Sequence, residues 1–450
     1  MACSAPVLDS YCERTSLHGF AFLRSGRSNW ERGAWVIWTV GVLCLASFEV
    51  GKCLQEYLTE APASQIHLEQ KSAMAYPSLV LCPPFRFDSL ARKKFALDDT
   101  LSNFLELIFA ASIYRHQYTL KSTSTFLHNL GKREFGYLNR QIHSLLNVSG
   151  KSLEQVVSDL SHSCEDIVAY CSIGGFSKVD CCSEAKPIYL TNGRCFQLTL
   201  PPAQFSSPLF GLEIGVKKPR LGHRPPPNQE PTDGVKLFIT PNLTDWGHDS
   251  FDDFDPGVTF IPYDGHTTIE LELQQTAMLS SKELPCDQRA TMSSTTCVRH
   301  CLTRGILSYC NCTPADASSW IHNPANNPPF CLPADILSCV LPQFSDPNSI
   351  RQFVNNCGAQ CPVPCTTRTV RKTVSYAGFV MDQEFLVEFR LAMGLDAVIQ
   401  LYYRNMQLTH WKQVHNSIFS TLLAYWGGIL GLTVDLMGGM HKGSLTLKPV

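Results

Sequence analysis

The placement of the cysteines constrains this chain more than any other feature of its sequence. Of 20 cysteines in 450 residues, four lie before residue 60, and the other sixteen lie between Cys82 and Cys365. An even number of cysteines confined to one interior segment is typical of a domain that folds in an oxidising compartment. We therefore predict up to eight disulfides in an extracellular segment.

The glycosylation sequons fall in the same interior segment. Asn147, Asn242 and Asn311 each begin an Asn-x-Ser/Thr triplet, and their joint confinement gives modest support to a lumenal location for residues 60–410. We predict glycosylation at Asn147 and Asn242. Asn311 lies directly between two cysteines, and we do not expect it to carry a glycan.

Residues 33–48 (GAWVIWTVGVLCLASF) form an apolar segment without a charged side chain. Together with the residues that follow, its length is close to that of a membrane-spanning helix, and we predict the first transmembrane helix at residues 33–57. Arg24, Arg27 and Arg32 precede this helix, so the N-terminal region is expected to be cytoplasmic. A cleaved signal peptide is the alternative, which the long region ahead of the segment and the poor cleavage site disfavour.

A second apolar segment, residues 418–440, contains one charged residue, Asp435. We predict a second transmembrane segment here; a buried or re-entrant segment is the alternative. Both termini are then cytoplasmic. The predicted order is a cytoplasmic N-terminus at 1–32, the first helix at 33–57, an extracellular cysteine-rich domain at 58–414, the second segment at 415–440 and a short tail at 441–450.

The pattern between the two apolar segments predicts a mixed α+β domain. Alternating apolar residues, which place side chains on one face of a strand, recur in four places, and apolar residues at helical spacing recur in three. The predicted strands lie within 196–200, 210–216, 235–239 and 269–273, and the predicted helices lie within 101–113, 153–160 and 334–353.

Two polar segments in the same domain are predicted to be exposed loops. Residues 217–233 are rich in proline, which favours a connection without regular structure. Residues 248–257 (HDSFDDFDPG) contain four aspartates, which could also bind a cation or sense protons. The spacing of an EF-hand calcium loop is absent, so a solvated acidic loop is the preferred interpretation.

The densest cysteine pattern runs from Cys286 to Cys365. Cys297 and Cys301 lie four residues apart and share a face if the segment is helical, and the same holds for Cys357 and Cys361. Two such helices could be joined by successive disulfides. Zinc ligation is the competing interpretation, but the segment lacks regular four-ligand clusters, so we favour a disulfide ladder.

Composition and motifs argue against several classes of function. The net charge is −2 and charged residues make up 17% of the chain, which gives no reason to expect a nucleic-acid partner. The sequence contains no nucleophile elbow, HExxH motif, phosphate loop or dinucleotide fingerprint. We therefore predict that the chain is not an enzyme and that it binds no cofactor or metal.

Five ordered motifs resemble the epithelial sodium channel, degenerin and acid-sensing ion channel superfamily, most closely its arthropod pickpocket-like branch. His18 and Gly19 resemble the cytoplasmic His-Gly gating motif of this family. The other motifs are the block that opens the extracellular domain, a pickpocket-type cysteine element, the ten cysteines of the thumb and the start of the pore helix. They lie at residues 76–83 (YPSLVLCP), 181–195, 286–365 and 422–432 (LLAYWGGILGL).

The resemblance implies a trimer around a central pore, with palm, knuckle, β-ball, finger and thumb regions (the thumb at about 286–370). It also implies six disulfides and leaves the partners of four cysteines open: Cys164, Cys171, Cys181 and Cys182. The implied pairs are Cys82–Cys195, Cys286–Cys365, Cys297–Cys361, Cys301–Cys357, Cys310–Cys339 and Cys312–Cys331.

The resemblance also implies roles in the second apolar segment. Ala424 corresponds to the small gating residue whose replacement by a bulky one holds such channels open, and Gly431 corresponds to the glycine associated with amiloride block. Gly427 and Gly428 add small residues that let helices approach closely around a pore.

The resemblance stops after Leu432. The family continues with a Gly-x-Ser selectivity filter, whereas this chain continues Thr433-Val434-Asp435 without one. We therefore expect either a truncated isoform or gene model, or a regulatory subunit that does not conduct.

The sequence as a whole predicts a plasma-membrane, multi-pass subunit of an amiloride-sensitive sodium channel, gated by an extracellular stimulus that the sequence does not identify. Its expected partners are sodium ions, the lipid bilayer and related subunits in a homo- or heterotrimer. The alternative is a cysteine-rich membrane receptor that conducts nothing.

Overall fold

The computed structural model divides the chain into two compact units, Met1–Gln65 with Gln413–Val450, and Ile66–Lys412. The structure describes residues 10, 28–58, 62–109, 132–175, 177–190, 193–219, 234–240, 258–281, 285–290, 293–315, 328–340, 342, 347–379, 394–415, 423–424 and 427–428. The acidic segment 248–257 and most of the proline-rich segment 217–233 lie outside these residues.

The first unit contains a long helix, α1 (Asn29–Leu58), which includes the whole of the predicted segment 33–57. Several of its large apolar side chains are exposed, among them Ile37 (75%), Leu45 (67%) and Phe48 (67%). Cys44 on the same helix is exposed and has a free thiol. Within the described ranges, none of the helices reaches the combination of length and apolar character that crossing a membrane requires.

The second unit is built from strands and short helices. Its helices are α2 (Ser89–Lys94), α3 (Asp99–Leu105), α4 (Lys132–Ser149), α5 (Leu153–Leu160), α6 (Cys164–Ile167), α7 (Ser294–Cys310), α8 (Pro333–Asp335) and α9 (Pro347–Gln360). Its strands are β1 (Pro62–Gln70), β2 (Ser78–Cys82), β3 (Val168–Ile173), β4 (Ser177–Val179), β5 (Lys186–Leu190), β6 (Gly193–Leu198), β7 (Leu212–Val216), β8 (Gly234–Thr240), β9 (Val258–Pro262), β10 (Gly265–Ala277), β11 (Thr366–Gly378) and β12 (Ala397–His415).

The described strands form two sheets. A seven-stranded mixed sheet has the order β11-β10-β12-β7-β3-β4, with β1 also pairing with β12. In it, β10 is antiparallel to β11 and parallel to β12. A five-stranded sheet has the order β5-β6-β2-β8-β9 and is antiparallel throughout.

One face of the five-stranded sheet packs against the seven-stranded sheet to form the main core. The alternation of apolar residues along the strands places every second side chain in this layer. Buried residues of the five-stranded sheet include Leu79, Leu81, Phe196, Leu237 and Ile239. Those of the seven-stranded sheet include Ile214, Ile269, Leu271, Ile399 and Leu401.

The opposite face of the five-stranded sheet is also buried. Val80, Ile188, Leu190 and Phe238 pack there with the two cysteines of a disulfide. Burial on both faces explains why β2 contains a continuous apolar run, Leu79–Cys82, instead of an alternating pattern.

A separate helical core joins α3, α4 and α5. Phe104, Ile108, Ile142 and Val156 are fully buried in it. The polar residues at the ends of these helices are consistent with local capping, since Asp98 accepts a hydrogen bond from the Leu101 amide (2.7 Å) at the start of α3.

Most of the predicted elements are present, and their bounds differ for identifiable reasons. The helix at 153–160 and the strands at 235–239 and 269–273 lie inside observed elements. The predicted strand at 210–216 begins only at Leu212, because Pro208–Phe210 forms a single 3₁₀ turn.

Two predicted helices are shorter or interrupted. The α-helical part of 101–113 ends at Leu105 and continues as a 3₁₀ turn to Phe109, and residues 110–113 lie outside the described residues. The described part of 334–353 contains the end of α8, a π turn at Ile336–Val340 and the start of α9 at Pro347, whereas residues 341 and 343–346 lie outside the described residues. Pro347 suits the first residue of α9, because proline is tolerated in the first turn of a helix.

We predict that Gly215→Ala destabilises the chain by about 1–3 kcal/mol through overpacking. The Tyr170 ring on β3 lies across Gly215 on β7, and an added Cβ would come closer to this ring than van der Waals contact allows. Scanning fluorimetry of the full chain should show a lower unfolding midpoint. Gly136→Ala on α4 is the control, because its Cβ would make only an ordinary van der Waals contact with the Arg140 side chain (3.8 Å) and alanine favours a helix. A midpoint for Gly215→Ala equal to that of the wild type would contradict the prediction.

A second prediction concerns His162, which is only 2% exposed and lies 3.8 Å from the Asp88 carboxylate. Burial lowers the pKa of His162 below 6.5, against the opposing effects of Asp88 and Asp166. The unfolded chain therefore binds a proton more readily than the folded chain, and the stability falls as the pH drops below about 6.5.

The comparison of two histidine variants isolates this contribution. His162→Gln should give a shallower loss of thermal stability between pH 7 and pH 5 than the wild type. His143→Gln, which changes an exposed histidine on α4, should keep the slope of the wild type. Parallel curves for all three proteins would show that His162 does not contribute.

Candidate functional site

The thumb is a pair of helices joined by disulfides. Cys297–Cys361 and Cys301–Cys357 link α7 to the end of α9, with Cα–Cα distances of 5.5 and 5.7 Å. The two cysteines of α7 share a face because they are four residues apart. Cys361 is the first residue after α9, and its carbonyl accepts a hydrogen bond from the Ser294 hydroxyl (3.0 Å).

Three further disulfides close the two ends of the thumb. Cys286–Cys365 lies beside the ends of β10 and β11, where the Met278 amide donates to the Cys365 carbonyl (2.7 Å). Cys310–Cys339 and Cys312–Cys331 lie at the other end, around a small core that includes Ile306. These are the five thumb pairs that the family resemblance implied. All ten cysteines of the thumb are paired in these five disulfides.

Three disulfides lie outside the thumb. Cys82–Cys195 joins β2 to β6, as the resemblance implied. The other two join the four cysteines that the sequence left open, as Cys164–Cys182 and Cys171–Cys181. The hairpin of β3 and β4 explains the second pair, since it places Cys171 opposite Val179. The apolar pattern does not reveal this hairpin; its sequence signal is the turn pair Gly174-Gly175, in which both residues have a positive φ.

The strands β1 and β12 are the parts of the second unit that continue along the chain toward the two apolar segments. Glu69 on β1 accepts hydrogen bonds from Lys71 Nζ (2.5 Å) and from His410 Nε2 on β12 (2.9 Å). The carboxylate can only accept, so Nε2 carries the proton. The Lys71 ammonium, followed by His410, lowers the pKa of the Glu69 carboxyl.

A local irregularity in β12 brings its residues within reach of β1. Between Leu271 and Leu273 of β10, the register on β12 advances from Tyr403 to Leu408. The residues in this bulge bond to β1 and its continuation: the Lys71 amide donates to the Met406 carbonyl (2.8 Å), and Gln407 donates to Gln70 (3.1 Å). Bulges of this kind redirect side chains at functional positions.

The same bulge also contains a charged contact with β10. Arg404 lies 3.3 Å from Glu270 and 3.2 Å from Glu272, two residues on one face of β10. The neighbouring Tyr402 hydroxyl also approaches Glu270 (3.5 Å), and the pKa of Tyr402 is raised by burial and by this carboxylate. All four side chains are at least partly exposed, so they position the strands more than they stabilise the fold.

A buried aromatic anchor fixes β12 at the start of the bulge. The Tyr403 side chain is fully buried, stacks on Tyr76 (5.6 Å between ring centroids) and donates a hydrogen bond to the Ala75 carbonyl (2.6 Å). Burial raises the pKa of Tyr403 far above its ordinary range, so the hydroxyl remains a donor at every physiological pH.

The structure describes three of the predicted gating and pore residues. Ala424, Gly427 and Gly428 are helical and exposed, and a Cβ added at either glycine would meet no atom within 4 Å. His18, Gly19 and Gly431 lie outside the described residues.

The structure describes two of the three sequon asparagines. Asn147 lies in the last turn of α4, where it is exposed and its neighbour Val148 is 87% exposed. Asn242 lies outside the described residues. Asn311 has a positive φ (51°) at the end of α7, a conformation that asparagine adopts more readily than most residues.

Within the described residues, no group of three or more histidine, cysteine, aspartate or glutamate side chains is arranged to hold a metal ion. The described arrangement is a disulfide-linked thumb attached to two long strands, β10 and β11, with polar contacts between β1 and β12.

Comparison with known proteins places this arrangement in a family. No curated protein sequence matches the chain. A solved structure described as a proton-activated chloride channel covers 91% of this chain and 97% of its own, but at 7% identity and a TM-score of 0.33 this similarity carries no argument. The family profile "Amiloride-sensitive sodium channel" matches residues 11–434, which is nearly the whole sequence. The chain therefore belongs to the amiloride-sensitive sodium channel family.

Proposed function

We propose that the chain is a subunit of a trimeric, amiloride-sensitive cation channel of the plasma membrane, opened by an extracellular stimulus. The single observation that carries this proposal is the family match over residues 11–434, which includes the first apolar segment, the disulfide-linked domain and residues 418–434 of the second apolar segment. This family consists of ion channels and not of enzymes, in keeping with the expected lack of catalysis.

The proposed topology has both termini in the cytoplasm and two membrane-spanning segments. The exposed apolar side chains of α1 support membrane contact, because exposed apolar surface of this extent marks a lipid or protein interface. Sodium ions and the lipid bilayer are the proposed partners, with no role for nucleic acid. Glycans at Asn147 and Asn242 and a closest kinship with arthropod pickpocket-like subunits belong to the same proposal.

In this proposal the stimulus acts on the finger and thumb and reaches the gate through β10, β11 and β12. The disulfide Cys286–Cys365 supports this route, since it ties the thumb to the ends of β10 and β11. From there the contacts of Arg404 and His410 connect β12 with β10 and β1. In the N-terminal region and the second apolar segment, we assign gating to His18, Gly19 and Ala424. We assign pore lining and amiloride contact to Gly427, Gly428 and Gly431.

A second candidate function is a subunit or receptor that conducts nothing by itself. The observation that favours it is the sequence after Leu432, which lacks the Gly-x-Ser filter of the family; residues 435–450 also lie outside the family match. Such a chain could still assemble with conducting relatives and change their response.

The first experiment expresses the chain alone and together with a full-length conducting subunit of the same family. We expect no current from the chain alone, because the residues that follow Leu432 do not match the Gly-x-Ser filter of the family. We expect co-purification with the relative and a change in the amiloride-sensitive sodium current, recorded under voltage clamp. No association together with an unchanged current would refute the channel-subunit proposal.

A chimera separates the two candidate functions. Residues 433–450 are replaced by the filter and the following segment of the conducting relative. Amiloride-sensitive current from the chimera expressed alone would support a channel subunit that lacks only its filter. A chimera that reaches the cell surface and stays silent would favour the non-conducting receptor.

We further predict that Glu69→Gln changes gating without lowering the thermal stability measurably. Glu69 and Lys71 are each 40% exposed, and exposed ion pairs contribute little to folding, but the contact joins β1 to β12. The lowered pKa of Glu69 keeps its carboxylate charged as the pH falls from 7 to 5. Glu69→Gln therefore removes a charged partner of Lys71 and His410, and we expect a changed open probability of the chimera or the co-assembled channel at pH 7.

Asp159→Asn is the matched control for Glu69→Gln. Asp159 forms a comparably exposed ion pair with Lys151, but that pair lies around α5 in the helical region and not between β1 and β12. Equal effects of the two variants on open probability, or no effect of either, would show that the contact between β1 and β12 does not influence the gate.

A further inference from the structure

A pair of histidine rings joins β1 and β12 at the surface of the second unit. The ring centroids of His67 and His410 lie 6.1 Å apart, and the ring planes are inclined by 37°. His67 is exposed and the side chain of His410 is 27% exposed, so solvent reaches both rings. The two residues are far apart in the sequence and meet because their strands pair. No motif with ligand spacing could therefore have revealed the pair.

The hydrogen bond to Glu69 determines which nitrogen of His410 keeps a free electron pair. Nε2 of His410 donates to a carboxylate oxygen of Glu69 (2.9 Å). Neutral imidazole carries one N–H group, so Nδ1 is the nitrogen that can accept a bond. In metal sites a carboxylate commonly holds the ligating histidine in this way, since it fixes the tautomer and makes the ligating nitrogen more basic.

The separation of the two rings is close to that of two imidazoles on one metal ion. Zinc binds histidine nitrogen at about 2.0–2.1 Å, which puts the centroids of two ligating rings roughly 5–5.5 Å apart in a tetrahedral site. The observed 6.1 Å is longer by about 0.5–1 Å. Rotation about the side-chain bonds of two solvent-exposed residues can supply this difference.

We propose that His67 and His410 bind a divalent transition-metal ion of the zinc type through one nitrogen each, and that Glu69 positions His410 for this task. Glu69 is not a third ligand, since no three histidine, cysteine, aspartate or glutamate side chains in the described part of the chain are arranged to hold a metal ion. Water completes the coordination. Imidazole suits zinc, copper and nickel, whereas calcium and magnesium prefer oxygen ligands, so the pair selects the first group.

The Lys71 ammonium opposes the binding of a cation here, but weakly. It bonds to Oε1 of Glu69, whereas His410 bonds to Oε2, so the ammonium lies at the other oxygen of the carboxylate. The Lys71 side chain is 40% exposed, and salt in the solvent screens its charge.

A bound ion would link two strands that continue along the chain toward the two apolar segments. The site itself does not depend on the proposed channel function, because both ligands lie within the second unit. Its test therefore measures binding and not current.

The test is isothermal titration of zinc chloride into the full chain, purified in mild detergent with its free thiols alkylated. Alkylation removes thiolates such as that of Cys44, which would also bind zinc. The chain contains 14 histidines, so the site is identified by variants and not by the total heat. His67→Gln should lose one zinc ion per chain relative to the wild type. His143→Gln, which changes an exposed histidine on α4, is the control and should bind zinc as the wild type does.

The result for His67→Gln decides the proposal. Zinc binding equal to that of the wild type would overturn it, and so would an equal loss in His143→Gln. Glu69→Gln should keep the stoichiometry but bind zinc roughly tenfold more weakly, as expected when the carboxylate that orients a ligand is removed. Wild-type affinity in Glu69→Gln would overturn the positioning role.

Thermal unfolding gives an independent measurement. An ion that binds only the folded chain raises the unfolding midpoint. Zinc chloride should raise the midpoint of the wild type by more than that of His67→Gln, and calcium chloride at the same concentration should affect both equally. An equal rise with zinc in the two proteins would place the binding elsewhere and overturn the assignment.

These outcomes can be told apart from a failure of the channel proposal. A chain that neither conducts nor alters the current of a relative, but loses zinc on substitution of His67, would keep the site and reject the channel. Unchanged zinc binding by His67→Gln in a chain that forms a channel would reject the site alone.

Discussion

The structure of the second unit depends on the pairing of β12 with three other strands. β12 runs parallel to β10, is antiparallel to β7 over Ala397–Leu401 and pairs with β1 further along. A strand bonded on both sides cannot shift without breaking both ladders, and a shift of one residue would expose its buried face. The fully buried Tyr403 reinforces this register, since its hydroxyl reaches Ala75 and its ring stacks on Tyr76. The contacts of Arg404 and His410, which we assign to the transmission of a stimulus, are therefore made by a strand whose position is fixed.

The thumb is stabilised in a different way from the sheets. The sheets share a large buried core, whereas the core at the end of the thumb contains few buried residues, two of them disulfide-bonded cysteines. A helix pair with so little apolar surface to bury would be marginal by itself, and cross-links compensate by restricting the unfolded chain. The ladder also makes the two helices move together, which suits an element that transfers a displacement from its outer end to β10 and β11.

The sequence predicted those parts of the fold that local chemistry determines. Alternating apolar residues identified β8 and β10 because these strands place one face in the core, and Leu153–Leu160 was predicted because its apolar spacing fits one helical face. The pairing of the ten thumb cysteines came from family resemblance, since spacing alone allows many pairings. The apolar pattern placed the start of β7 at residue 210, whereas the strand begins at Leu212. Phe210 continues the apolar alternation in the sequence but belongs to the 3₁₀ turn that begins at Pro208. No local pattern could find Glu69 and His410, which lie 341 residues apart and meet only through strand pairing.

Two contacts of β12 with other elements of the fold lie ten residues apart on the strand. Gln400 donates a hydrogen bond to the Pro208 carbonyl in the connection between β6 and β7, and His410 contacts Glu69 on β1. Between them Tyr403 is buried and Arg404 contacts two glutamates of β10, so the intervening backbone is held from several sides. A displacement imposed at one of these contacts is transmitted along the strand to the other, because the alternative is to break a ladder. A shift of β12 at Gln400 would thus bear on the same strand that continues along the chain to the second apolar segment.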